Sequence, residues 1–114
     1  MSVIAQLENT APLSQVWFVH DYIQLKFQDR TVTVLNTPKL RLSSGMVLNR
    51  SDDGFCDNLV SQIGQPIDEA RLIEEELFFI RFASGVELMV PLNDEAVNGP
   101  EALELPGAYV VFNT

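Results

Sequence analysis

The sequence predicts an α+β fold: a mainly antiparallel sheet built from β-hairpins, with one helix, about residues 52–63, packed on one face. Three observations carry this. Residues 22–35 and 76–90 each hold two apolar runs divided by a short turn. One stretch alone, 55–63, places its apolar residues at helical spacing. Strands thus cluster with few crossover helices, and clustered strands pair antiparallel with the helix set to one side.

The chain's 114 residues are 46% apolar and 20% charged, enough for one independent core and unlike a disordered chain. Residues 1–14 show no clean period, and Pro12 stops any helix running through them. They are expected to be a loosely ordered lead-in with one short element at most. The single domain is expected over 15–114.

In Tyr22-Ile23-Gln24-Leu25-Lys26-Phe27, the apolar Ile23, Leu25 and Phe27 share one face and Gln24 and Lys26 the other, the mark of a half-buried strand. Gln28-Asp29-Arg30 turns the chain into the β-branched Thr31-Val32-Thr33-Val34-Leu35, closing a hairpin. Asn36-Thr37-Pro38 breaks the ladder. Lys39–Leu42 and Met46–Leu48 read as two further short strands.

Ser51-Asp52-Asp53 predicts a helix start, because short oxygen-bearing side chains cap free backbone N–H groups. Phe55, Cys56, Leu59, Val60 and Ile63 form its apolar stripe, and Gly64 and Pro66 end it. An extended segment follows to Ile73. Glu76–Phe82 carries large side chains on both faces and is expected inside the sheet. Ala83-Ser84-Gly85 turns it into Val86–Val90, and Tyr109–Phe112 is the last strand. Leu25-Lys26-Phe27 with Val32-Thr33-Val34 echoes Ile80-Arg81-Phe82 with Val86-Glu87-Leu88. Patterning alone makes any two amphipathic hairpins alike; duplication of a hairpin unit is the alternative.

Candidate chemistry is sparse. His20 stands beside Asp21, but adjacent strand residues point to opposite faces, so a surface histidine is expected. Cys56 lies on the helix stripe among Asp53 and Asp57, the setting of a small buried hydrophobe rather than a reactive thiol. One His and one Cys do not make an ordinary zinc site. Glu74-Glu75-Glu76 are consecutive and diverge, unlike paired catalytic carboxylates. No phosphate loop, dinucleotide fingerprint or nucleophile elbow is present, so no catalytic residue and no cofactor is expected.

Net charge is −9, unevenly placed: residues 1–50 carry +2 and residues 51–114 carry −11. Such a field repels nucleic acid and anionic membrane and draws basic partners inward. Lys26, Lys39, Arg41 and Arg50 are the only candidates for a basic face. The first eight residues lack the basic and apolar parts of a secretory signal, and no apolar run reaches membrane length, so a cytoplasmic protein is expected.

Three stretches carry a resemblance. They are Leu59-Val60-Ser61-Gln62-Ile63-Gly64-Gln65-Pro66-Ile67, Ile80-Arg81-Phe82-Ala83-Ser84-Gly85-Val86-Glu87-Leu88-Met89-Val90, and Gly99-Pro100-Glu101-Ala102-Leu103 with its apolar end. Over about residues 55–114 the chain resembles small bacterial proteins akin to the immunity proteins of polymorphic toxin systems. The resemblance implies a non-catalytic domain whose partner is a protein, here a basic toxin met by acids. Asp94, Glu95 and Glu101 are the first candidates for partner binding, with Glu74 and Glu75 next, because they fall at loops and strand ends. The alternatives are a small-ligand domain or cryptic enzyme with a pocket between helix and sheet, and a structural homo-oligomer.

Overall fold

In the computed structural model, the described residues are 3–93 and 96–113. Among them, ten strands form two five-stranded antiparallel sheets. The strands are β1 (Gln15–Val19), β2 (Tyr22–Phe27), β3 (Arg30–Val34), β4 (Lys39–Arg41) and β5 (Val47–Asn49), then β6 (Ile67–Ile73), β7 (Leu77–Phe82), β8 (Glu87–Pro91), β9 (Glu101–Leu105) and β10 (Tyr109–Phe112). Two short helices, α1 (Val3–Glu8) and α2 (Phe55–Val60), complete the α+β fold. One sheet runs β1-β2-β3-β9-β10 and the other β5-β4-β8-β7-β6.

The alternation of β2 is realised: Ile23, Leu25 and Phe27 are buried, and their neighbours are not. In β7, Phe78, Ile80 and Phe82 do the same. These faces join Val32, Val34, Leu88, Val90, Leu103 and Leu105 in one core shared by both sheets. Period-two patterning makes this arrangement hard to slip, since a one-residue shift would put every buried side chain into water.

The two halves of the chain repeat one course. Each is a helix, a three-stranded meander and a two-stranded hairpin: α1, β1-β2-β3, β4-β5, then α2, β6-β7-β8, β9-β10. Each meander pairs with the hairpin of the other half, β3 with β9 and β8 with β4. Each helix also crosses over, α1 lying on β6 and α2 touching β1. The register agrees: Ile23 faces Val34 as Phe78 faces Val90, and Leu25 faces Val32 as Ile80 faces Leu88. The hairpin echo is thus part of a larger repeat. Leu88, rather than Val86, takes the place of Val32.

The helix expected over 52–63 spans only Phe55–Val60. Its N-cap is Gly54 at φ 90°, with no side-chain cap. Asp52 is otherwise engaged, its Oδ2 accepting the Asn49 N–H at 2.7 Å. Phe55 and Leu59 face the core, but Val60, the last helical residue, is exposed, and so is Ile63, which lies in the turns between the helix and Gly64. Nor is this the only helix. The lead-in holds α1 and contributes Leu7 and Leu13 to the core. Pro12 lies in an extended stretch after α1, where Leu13 N–H donates to the Gln65 carbonyl and Gly64 N–H to that of Leu13. Strands β1 and β9 were not expected from the sequence.

Candidate functional site

One end of the molecule gathers the connections after β1, β3, β5, β6 and β8. Backbone bonds hold them together. Leu35 and Asn36 N–H groups donate to the Ala102 carbonyl at 2.9 and 3.0 Å, and Thr37 N–H donates to Ala96 at 2.9 Å. Leu92 N–H donates to the Glu76 carbonyl at 2.9 Å, and the Asn93 side chain donates to Glu75 at 3.1 Å. Side-chain amides do the rest. Asn36, only 1% exposed, forms a reciprocal amide pair with Asn113 at 2.8 and 3.0 Å and donates to the Pro91 carbonyl at 2.8 Å. Asn113 also donates to Gly99, and Asn98 to Leu35. Loop backbone that would otherwise lack partners is thereby satisfied.

The predicted partner-binding acids divide between the two sheets. Glu74 and Glu75 are exposed on the β6–β7 turn, Glu75 at φ 67°. Glu101 is the half-buried first residue of β9 in the other sheet, paired with Phe112 of β10. Asp94 and Glu95 lie outside the described residues.

Glu101 lines a hollow of about 860 Å³ with His20, Asp21, Asn36 and Arg50. His20 and Asp21 occupy the tight β1–β2 turn rather than a pleat, so their side chains meet, Nε2 to Oδ1 at 3.6 Å, in full exposure. A second hollow of about 1170 Å³ adjoins it through Thr37 and Arg50.

Arg50 is the residue that the sequence reading undervalued. It follows β5, and its guanidinium carbon lies 5.4 Å from the Phe18 ring and 5.7 Å from the Phe55 ring, within cation–π reach of both. Its Nη1 also approaches Cys56 Sγ at 3.7 Å. Cys56 therefore has a cation as neighbour, not only the anions beside it in sequence. The rings come from β1 and α2, so no local spacing could announce the cluster.

The four bases do not form one basic face. Lys26 lies over Trp17 in the first sheet, 4.4 Å from the ring centroid, while Lys39 and Arg41 belong to β4 in the second. On the outer face of that second sheet, Glu69, Arg81, Glu87 and Arg41 stand side by side across four strands. Arg81 bonds Asp68 at 3.1 Å and Glu69 at 2.7 Å. Glu87 lies 3.6 Å from both Arg81 and Arg41. The Asp68 hydrogen bond, with Glu69 beside it, holds the Arg81 guanidinium above its ordinary pKa. Alternating charge satisfies these groups internally and leaves them little to offer a partner.

Among the described residues, no group of three or more His, Cys, Asp or Glu is placed to hold a metal ion, and no helix is long and apolar enough to cross a membrane. No protein-family model, curated protein or solved structure matches the chain.

Proposed function

We propose that the chain is a non-catalytic protein-binding domain that docks a basic protein surface on its loop end, as an immunity protein neutralising a basic toxin would. The observation that carries this is the placement of the acids. The Glu74-Glu75-Glu76 turn is exposed, and the Leu92 and Asn93 hydrogen bonds to its carbonyls hold the backbone that presents its charges. Glu101 borders the hollow at the same end. A turn fixed in advance loses little freedom on binding, and concentrated like charge accelerates encounter with an opposite surface. The bases of the second half, Arg71 and Arg81, are already committed to Glu69, Asp68 and Glu87, so they do not offset these acids.

Affinity capture from a lysate of the source cells, at low and moderate salt, tests the reading. One basic protein should be retained at low salt and released as salt rises. The triple variant Glu74→Lys, Glu75→Lys, Glu101→Lys should slow its association about tenfold or more and flatten the salt dependence. If charge reversal leaves association unchanged, these acids are not the docking surface and the reading fails.

A further inference from the structure

We propose that the outer face of the first sheet binds a short neutral oligosaccharide, with Trp17 as its stacking platform and Gln24, Thr33 and Glu104 as its hydrogen-bonding floor. This inference concerns a different surface and does not rest on the docking of a basic partner. It starts from register. Trp17 pairs with Gln24, Gln24 with Thr33, and Thr33 with Glu104, so the four form one row across β1, β2, β3 and β9. The row lies on the face away from the core, since Ile23, Leu25 and Phe27 point the other way along β2. At ordinary strand spacing it is about 14 Å long.

The internal repeat supplies a comparison. In the second sheet Arg81 stands between Glu69 and Glu87 and pairs with both. Lys26 holds the same place in the first sheet, and its neighbours across the strands are Gln15 and Thr31. One outer face is thus closed by ion pairs, while the other sets neutral polar groups around a cation. Lys26 lies over the Trp17 ring at 4.4 Å, and Trp17 Nε1 donates to Gln15 Oε1 at 2.8 Å. The indole is therefore held in place yet remains 49% exposed. Beside Lys26 the face dips into a hollow of about 420 Å³, walled by the turns at 29–30 and 105–108. Thr33 on its floor is 8% exposed, and its Oγ1 accepts from Gln24 Nε2 at 3.2 Å. Glu104 is exposed at its side.

A sugar suits this mixture. Each sugar hydroxyl both donates and accepts, as the Thr31 and Thr33 hydroxyls and the Gln24 amide do, while Glu104 accepts and Lys26 donates. The C–H face of a pyranose ring is apolar and matches an indole, whose body is apolar and whose N–H alone is polar. Lys26 and Arg30 line the hollow together with Asp29 and Glu104, so a ligand meets both signs of charge and gains little from carrying one.

The test is a titration of the intact protein followed by ¹H–¹⁵N spectra. Maltotriose, cellotriose and triacetylchitotriose are the neutral probes, and trigalacturonate is the acidic one. Sorbitol is the control for hydroxyls without a ring face. At least one neutral probe should give saturable shifts at the Trp17 indole N–H and the Gln24 side-chain amide. Its Kd should be about 1 mM or tighter and the same at low and moderate salt. Trp17→Ala, followed at Gln24, should weaken binding about tenfold. Glu104→Gln keeps the shape but loses the charged acceptor, and should weaken it about fivefold. Both positions are exposed, so spectral dispersion should be retained. The proposal is overturned if no neutral probe saturates, if sorbitol shifts the same groups as strongly, or if either variant keeps full affinity. Tighter binding of trigalacturonate that is lost as salt rises would overturn it too, by showing that Lys26 selects a carboxylate.

Discussion

Asn36 shows how a single residue fixes the loop end. Its amide is spent on Asn113, which follows β10, and on the carbonyl of Pro91, the last residue of β8. Asn36→Leu would leave the Asn113 amide and a strand-end carbonyl short of partners in a buried place. The expected loss is about 1–3 kcal/mol, seen as a lower urea midpoint with unchanged slope. Adding Asn113→Leu should then cost less than it does alone, because the pair is already broken. An additive double variant would mean that the amides act separately. The sequence shows Asn36-Thr37-Pro38 as a ladder breaker, and that is correct as far as it goes. The partner stands 77 positions away, a distance no local pattern spans. Arg50 is legible to the same limited degree. Its charge could be read, but its cage of Phe18 and Phe55 exists only once β1 and α2 have met.

At the scale of elements, the hairpins were legible because their burial is strictly alternating, as in β2 and β7. The misses have physical causes. Strand β9 is Glu101-Ala102-Leu103-Glu104-Leu105, whose residues favour helix; it is a strand because β3 and β10 pair with it on both sides. Edge strand β1 has no fully buried residue, so its pattern is faint. Helix α1 is too short to hold itself together in water and depends on packing. Leu7 is completely buried, and Glu8 Oε2 accepts the Ala70 N–H at 3.1 Å, fastening α1 to β6. Leu7→Ala should therefore destabilise the whole protein by about 2–5 kcal/mol in a denaturation series. A loss under ~0.5 kcal/mol would show α1 to be an ornament. At the start of α2, Gly54→Ala places a side chain at φ +90° with its Cβ 3.3 Å from Asn58 Nδ2. A cost of about 1–3 kcal/mol is expected from that backbone strain, measured the same way.

For the molecule as a whole, the repeat implies a test of cooperativity. A chain made of two tandem units ordinarily melts in two steps if each unit owns its core. Here neither half owns a sheet: β9-β10 complete the first meander, and β4-β5 complete the second. Releasing either half would expose the unpaired flanks of β3 or β8 and empty half of one shared core. The exchange therefore couples the halves, and equilibrium unfolding should be a single transition. The chain supplies its own probe, since Trp17, its one tryptophan, sits in β1 of the first sheet with Lys26 over its ring. Tryptophan fluorescence follows that sheet alone, while far-UV circular dichroism follows both. The two signals should give coincident urea midpoints and equal slopes. A fluorescence midpoint separated from the dichroism midpoint would mean that one sheet survives without its exchanged hairpin. Refolding should be slow for a chain of this length, in the range of about milliseconds to seconds, because both sheets wait on pairings between residues far apart in sequence. A microsecond refolding phase carrying the full amplitude would show that the hairpins form and dock locally, and that the exchange is not what limits folding.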